Sequence, residues 1–355
     1  MAVNIARLRF RNQGLGPGQF DDPPSVAAYM GALQAQDRPS MLWALGIRCA
    51  KAGVGQVEQA FHEKRLVRTW LLRGTLHVAA AEDVRWMLAL LSPRLKRRST
   101  RRWRELALDA ETLARGQDIL VHALRDGQSL TRAQLFAALE AGGVSPAGQR
   151  GYHILRAAAL DQLICFGPRR GNEPAFVLID NWATQAKRLD KESALAELAR
   201  RYFRSHGPAT LADFVWWSGL TTGLAREGLA AARPDFEEIT IGGETYWMPP
   251  ITQPSQSATT AALLPAYDEY YLGYKNREAM LNPHFDKNAV SSGGVFRPTI
   301  VIDGQIVGVW QMARTKGGIP LEPKLFRSLT AEEERRLARA ARRYGAFLGR
   351  DIEII

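Results

Sequence analysis

Two glutamines set two positions apart, Gln34 and Gln36, are the residues of this chain whose type and spacing could do chemistry. On a continuing helix, side chains at i and i+2 point about 200° apart and cannot serve one site; on extended backbone they share a face. Pro39 pushes the residue before it out of the helical region. The spacing therefore predicts that a helix stops near Leu33 and that the two amides converge. Neutral amides are weak acids and weak bases, but a pair of them can hold and orient a water molecule. The same spacing equally describes a solvated helix end, and the motif alone leaves both readings open.

The elements that must position such a pair are legible in part. Residues 112–124 read as an amphipathic helix stopped by Asp126-Gly127, and 132–139 as a second, with Thr131 as N-cap and Gly142-Gly143 as its stop. Ser145-Pro146 opens a third, and residues 163–167 and 174–179 read as two strands joined by a basic turn. Three helices and a hairpin make a winged helix-turn-helix. The order recurs: helices over 193–205, 210–218 and 223–232, then strands over 236–241 and 245–248 joined by Gly242-Gly243. A less regular copy is expected near the N-terminus, with helices over 60–65 and 67–72 before a strand over 74–79. From Ala261 onward, strands over 295–302 and 305–312 flank Asp303-Gly304, and a helix over 329–348 starts behind Thr330. The expected fold class is α+β: three tandem winged helix-turn-helix modules over 1–110, 111–187 and 188–255, then a β-rich C-terminal domain over 256–355.

Composition narrows the partners. The 355 residues are 46% hydrophobic and 9% aromatic, enough for packed cores. No apolar run approaches the roughly 18–20 residues that span a bilayer, and the N-terminus lacks a signal-like apolar region. Cys49 and Cys165 sit in apolar surroundings without metal-ligand spacing, which suits a reducing cytoplasm. His62, His122, His153 and His284 show no such spacing either, so neither metal nor cofactor is expected. A formal net charge of +11 and a pI near 9.9 favour a polyanionic partner, nucleic acid being the usual one, although an arginine-rich composition contributes. The chain is expected to act as a monomer, bound to the nucleoid when on DNA.

Residues 94–104 pack seven cations into eleven positions; Lys96, Arg97, Arg98, Arg101 and Arg102 are candidates for phosphate contact, because like charges so close repel one another on a merely solvated helix. Arg169 and Arg170, and Arg314 and Lys316, lie in turns that either touch DNA as wings or are ordinary exposed loops. Arg73, Thr75 and His77 alternate along an expected strand and share one face. That face meets DNA or packs inside the protein. Asp37 either lines a cleft beside the glutamines or caps the helix starting near Pro39. Asp268 either lines that cleft or ties down the turn after Pro265.

Four local patterns, Leu33-Gln34-Ala35-Gln36, Arg73-Gly74-Thr75-Leu76-His77, Leu264-Pro265-Ala266-Tyr267-Asp268-Glu269-Tyr270 and Val301-Ile302-Asp303-Gly304-Gln305-Ile306-Val307-Gly308, occur in the order found in AlkZ-type bacterial DNA glycosylases. The chain resembles that family over nearly its whole length. The resemblance implies a C-shaped, DNA-embracing body of tandem winged-helix modules. It implies hydrolysis of the N-glycosidic bond of alkylated purines, including bulky N7 adducts and interstrand crosslinks, by a monofunctional enzyme. The family's catalytic signature, Gln, an apolar residue, then Gln or Asp, falls on Gln34, Ala35 and Gln36. Gln in the last place is similar to the branch tied to resistance against alkylating natural products. The competing reading is a non-enzymatic winged-helix transcription regulator, since the fold alone does not decide function.

Overall fold

Asp22-Pro23-Pro24 starts a helix as its chemistry dictates: the Asp22 carboxylate accepts from Ser25 N at 2.9 Å, and Pro23 fills the first turn of the helix Pro23–Met30. Gly31, at φ 79°, ends it, and the chain runs extended through the short strand Leu33–Gln34 before the next helix, Arg38–Gly46. The computed structural model describes residues 3–16, 18–251, 260–290, 294–313 and 320–355. It divides into two units, Met1–Glu58 with Leu195–Ile355, and Gln59–Ala194.

In the first unit, helices Leu211–Ser218 and Thr222–Ala232 start at Thr210 and Thr221. Thr210 forms a reciprocal capping box with Asp213. Strands Glu237–Ile241 and Glu244–Met248 pair antiparallel around Gly242-Gly243, both at positive φ as a tight hairpin needs. A four-stranded antiparallel sheet follows, in the order Leu321–Leu325, Gln305–Met312, Thr299–Ile302, Ala261–Leu264. Helix Ala331–Leu348, boxed by Thr330 and Glu333, packs on strand Ala261–Leu264. Two indoles tie this region together. Trp43, from helix Arg38–Gly46, donates to Leu263 O at 2.6 Å, and Trp310 donates to Leu264 O at 2.9 Å.

In the second unit, strands Leu66–Trp70 and Leu76–Ala80 pair antiparallel about a 3-10 turn, Leu72–Gly74. The 22-residue helix Val84–Glu105 follows, burying Trp86, Leu91, Leu95 and Trp103. Helices Ala110–Ala123, Arg132–Ala141 and Arg150–Leu160 enclose Leu120, Leu135, Leu139, Ile154 and Leu155. Strands Ile164–Phe166 and Ala175–Leu178 then form a hairpin, with Leu130–Thr131 beside the latter and Leu66–Trp70 beside the former.

Three expectations change. Residues 67–72 are not a helix. Val67, Trp70 and Leu71 mimic helical spacing, but Leu66–Trp70 is a strand covered on both faces, so its period-two signature is hidden. The preceding helix is Val54–His62, starting before the expected 60. The third helix of residues 145–160 begins at Arg150, because Gly148 and Gln149 take left-handed conformations that break any start at Pro146.

Candidate active site

Gln34 and Gln36 stand on the extended stretch between Gly31 and the N-cap Asp37, as their spacing requires. Gln34 is buried, 8% exposed, and Gln36 is open to solvent. Their amides face one another: Gln34 Nε2 donates to Gln36 Oε1. That bond sets the polarity of the pair, so the acceptor brought by Gln34 is its Oε1 and the donor brought by Gln36 is its Nε2. Asp37 is not part of this pair. Its carboxylate accepts from Ser40 N at 2.9 Å and caps helix Arg38–Gly46, which is the structural one of its two expected roles.

Behind the pair lies a buried polar cluster. The main-chain N–H of Gln34 donates to Glu269 Oε1 at 3.0 Å. Glu269 is 1% exposed, and its Oε2 accepts from Trp217 Nε1 at 2.9 Å, with His206 Nε2 at 3.8 Å. Burial pushes the His206 imidazole below its ordinary value against the opposing pull of Glu269, so the ring is neutral at pH 7. Gly273 leaves room for that ring: a Cβ there would lie 2.6 Å from His206 Cδ2.

Asp268, one residue earlier, does not line a cleft. It is 3% exposed and takes a bidentate pair from the fully buried Arg48, with Nη1 to Oδ2 and Nη2 to Oδ1 both at 2.9 Å. Its Oδ1 also accepts from Tyr270 N at 2.9 Å, capping the short helix Glu269–Leu272. Sequence reasoning assigned no role to Arg48, His206, Trp217 or Glu269. One signal was present. Arg48 interrupts the apolar run Leu45-Gly46-Ile47-Arg48-Cys49-Ala50, and a guanidinium in such a run needs a buried carboxylate.

The remaining candidates, Arg314 and Lys316 apart, are in the second unit. Arg73 lies in the 3-10 turn at φ 56°, outside strand Leu76–Ala80, so Arg73, Thr75 and His77 do not share one strand face. His77 is buried with Nδ1 3.0 Å from Thr75 O, and Thr75 Oγ1 donates to Leu72 O at 3.3 Å. The basic run is the second half of helix Val84–Glu105 and is less unsatisfied than its density suggests. Lys96 pairs with Asp161, and Arg101 and Arg102 both pair with Glu105 at 3.0 Å. Arg97 and Arg98 are exposed and make no ion pair among the described residues. Arg169 and Arg170 sit exposed in the turn after Ile164–Phe166, where the Arg169 guanidinium donates to Asn172 O. Arg314 and Lys316 lie outside the described residues.

A cleft of about 740 Å³ opens in the first unit. Its walls include Pro39 and Ser40, three and four positions after Gln36, and Ala266, three before Glu269; Trp43, Trp310 and Tyr344 add aromatic surface. Among the described residues no His, Cys, Asp and Glu cluster could hold a metal ion, and no helix is long and apolar enough to cross a membrane.

The fold is that of a known DNA glycosylase structure. The solved Streptomyces sahachiroi DNA glycosylase AlkZ superposes with a TM-score of 0.84 at 21% identity, covering 99% of this chain and 98% of that one. A curated relative from the same organism, "Interstrand DNA cross-link repair glycosylase", is 24% identical over 361 aligned positions, covering 95% of each chain. The family described as "DNA glycosylase AlkZ-like" matches residues 27–347, and this chain belongs to that family. It is therefore a DNA glycosylase, a hydrolase acting on N-glycosyl bonds, which sets aside the non-enzymatic regulator.

Proposed function

We propose that this enzyme excises N7-alkylated purines from double-stranded DNA, bulky natural-product adducts and interstrand crosslinks included, in DNA repair and self-resistance. Alkylation at N7 makes guanine formally cationic. As the C1′–N9 bond breaks, its electron pair stays on N9 and the base departs neutral, so no general acid is needed. What remains is to place water against C1′ and to stabilise an oxocarbenium-like sugar. The single observation that carries this reading is the facing amide pair, in which Gln34 Nε2 donates to Gln36 Oε1. Gln34 Oε1 accepts a hydrogen bond from the attacking water and faces the positive charge growing on the sugar, while Gln36 Nε2 donates to a sugar or phosphate oxygen. The new C1′–O bond forms as its extra proton passes to solvent. The cleft of about 740 Å³, lined by Pro39 and Ser40 and by neither glutamine, is the room proposed for the bulk attached to N7.

The helix and hairpin order over residues 110–178 supports a winged-helix module, as does the order from Lys191–His206 to Glu244–Met248. We read the chain as tandem modules over 1–110, 111–187 and 188–255 before a β-rich portion over 256–355, acting as a monomer in the cytoplasm. Arg97, Arg98, Arg169 and Arg170 are the exposed cations best suited to phosphate. In this reading Gln34→Ala and Gln36→Ala each slow single-turnover release of N7-methylguanine from a duplex by about a hundredfold, with DNA affinity nearly unchanged. Strand cleavage at the resulting abasic site is the readout. A double variant with full activity would end the proposal.

A further inference from the structure

We infer that Glu269 is the positioning residue of this active site: its buried carboxylate grips the main chain of Gln34 and so fixes the backbone that carries the amide pair. The inference rests on the glutamine reading above and adds a residue to it. The stretch that carries Gln34 and Gln36 is thin. Strand Leu33–Gln34 has two residues, and Gly31 on one side and Asp37 on the other end the flanking helices. A facing geometry two residues apart needs a fixed backbone at Gln34, and the Glu269 Oε1 bond of 3.0 Å to Gln34 N supplies a long-range restraint on it.

Glu269 itself is held rigidly. It opens helix Glu269–Leu272, its predecessor Asp268 is locked by Arg48, and its successor Tyr270 is tied through its hydroxyl to Ala6 O at 3.0 Å and Gly304 O at 2.6 Å. Its second oxygen is fixed by Trp217 Nε1 at 2.9 Å. A carboxylate this buried is costly unless its hydrogen bonds are good and its charge is useful. An anionic acceptor holds the Gln34 N–H more firmly than a neutral one, and the placement of the Gln34 amide follows from that hold. Duplex affinity, which is governed by phosphate contacts, is expected to be indifferent to it.

The test compares wild type with Glu269→Gln, Glu269→Ala, Gln34→Ala and the Gln34→Ala/Glu269→Gln double variant, all as full chains. The substrate is a duplex with one N7-methylguanine. Single-turnover release at saturating enzyme, duplex Kd by fluorescence anisotropy and thermal unfolding are measured on each. Glu269→Gln is isosteric but offers only one, neutral, acceptor where Glu269 takes both the Gln34 N–H and Trp217 Nε1, so it loosens the grip without changing volume; it is expected to slow release about tenfold. Glu269→Ala removes the acceptor altogether and is expected to slow release about a hundredfold. Kd stays within about twofold of wild type in both, whereas a merely structural role would lower affinity and folded fraction alongside the rate. Because Glu269 acts through Gln34, the double variant is no more than about twofold slower than Gln34→Ala alone. Should Glu269→Ala not fold, Glu269→Gln carries the test. Wild-type rates in Glu269→Gln with a slow Gln34→Ala, or losses that simply multiply, would overturn the positioning role and leave the glutamine reading standing. Wild-type rates in Gln34→Ala would overturn both.

Discussion

Asp268→Asn changes one oxygen to nitrogen and is expected to destabilise the protein severely. Arg48 is fully buried, and all five of its N–H donors are matched: Nε to Gln13 O at 2.9 Å, Nη1 to Ala44 O at 2.8 Å and Asp268 Oδ2 at 2.9 Å, Nη2 to Gln13 Oε1 at 3.0 Å and Asp268 Oδ1 at 2.9 Å. Substituting Asn removes the counter-charge and turns an NH₂ toward the guanidinium or toward Tyr270 N, which now donates to Asp268 Oδ1. A buried cation is left uncompensated, at a cost of about 3–5 kcal/mol. For a folding unit of some 200 residues, that lowers Tm by roughly 6–20 °C. Urea unfolding followed by the fluorescence of Trp43, Trp217 and Trp310, all buried in the same unit, reads the loss directly. Arg48→Met and the double variant complete a cycle whose coupling is expected to exceed about 2 kcal/mol, because each single change strands the other charge. Asp268→Asn within about 1 kcal/mol of wild type, or a coupling near zero, would refute the claim that the pair holds this corner of the fold together.

Salt sensitivity separates free from spent cations on helix Val84–Glu105. Arg97→Ala and Arg98→Ala are each expected to flatten the slope of log K against log salt by about 0.9, while Arg102→Ala, whose guanidinium already serves Glu105 and Gln149, leaves it nearly unchanged; equal slopes for all three would remove the phosphate assignment. Acid sensitivity is expected at the last helix. Glu332 and Glu333 are held down to about 2, chiefly by hydrogen bonds from Arg335 and Arg327 respectively. Their folded values lie below the ordinary 4.5, so what they add to stability is complete above about pH 4.5 and disappears as pH falls toward 2. The Tm gap between wild type and Glu333→Gln should therefore be larger at pH 7 than at pH 2.5, and a gap independent of pH would contradict it.

What the sequence disclosed follows the range of the forces involved. The extended turn that aligns Gln34 and Gln36 was legible because Asp37 and Pro39, which open the next helix, sit within three residues of it; Arg38, expected off the helical region ahead of Pro39, is instead that helix's first residue. The hairpin at Gly242-Gly243 and the helix starts at Thr131 and Thr330 were legible for the same reason. Strand Leu66–Trp70 was misread because burial on both faces erases the alternation by which strands are recognised. Glu269 and Arg48 were beyond reach in a different way. Their partners lie 235 and 220 positions away, and no local pattern encodes that meeting.

The division of labour between near and far residues carries the chemistry further. In the proposed reading the site discharges a cationic base and needs no acid, and both side chains of the pair are uncharged. The charges stand one layer inside, where Asp268 is neutralised by Arg48 and Glu269 bonds the peptide N–H of Gln34. Exchanging the two layers, with a carboxylate at Gln34 and an amide at Glu269, would put a fixed anion against the attacking water and leave the Gln34 backbone with a weaker acceptor. A Gln34→Glu/Glu269→Gln protein would keep both side-chain volumes and the total charge. It is expected to be slower than either single variant predicts for the N7-methyl substrate, because direction of the water depends on an amide of set polarity and not on charge alone. Recovery of wild-type excision in that swapped protein would show that charge, wherever placed, is sufficient, and the geometry of the amide pair would lose its explanatory role.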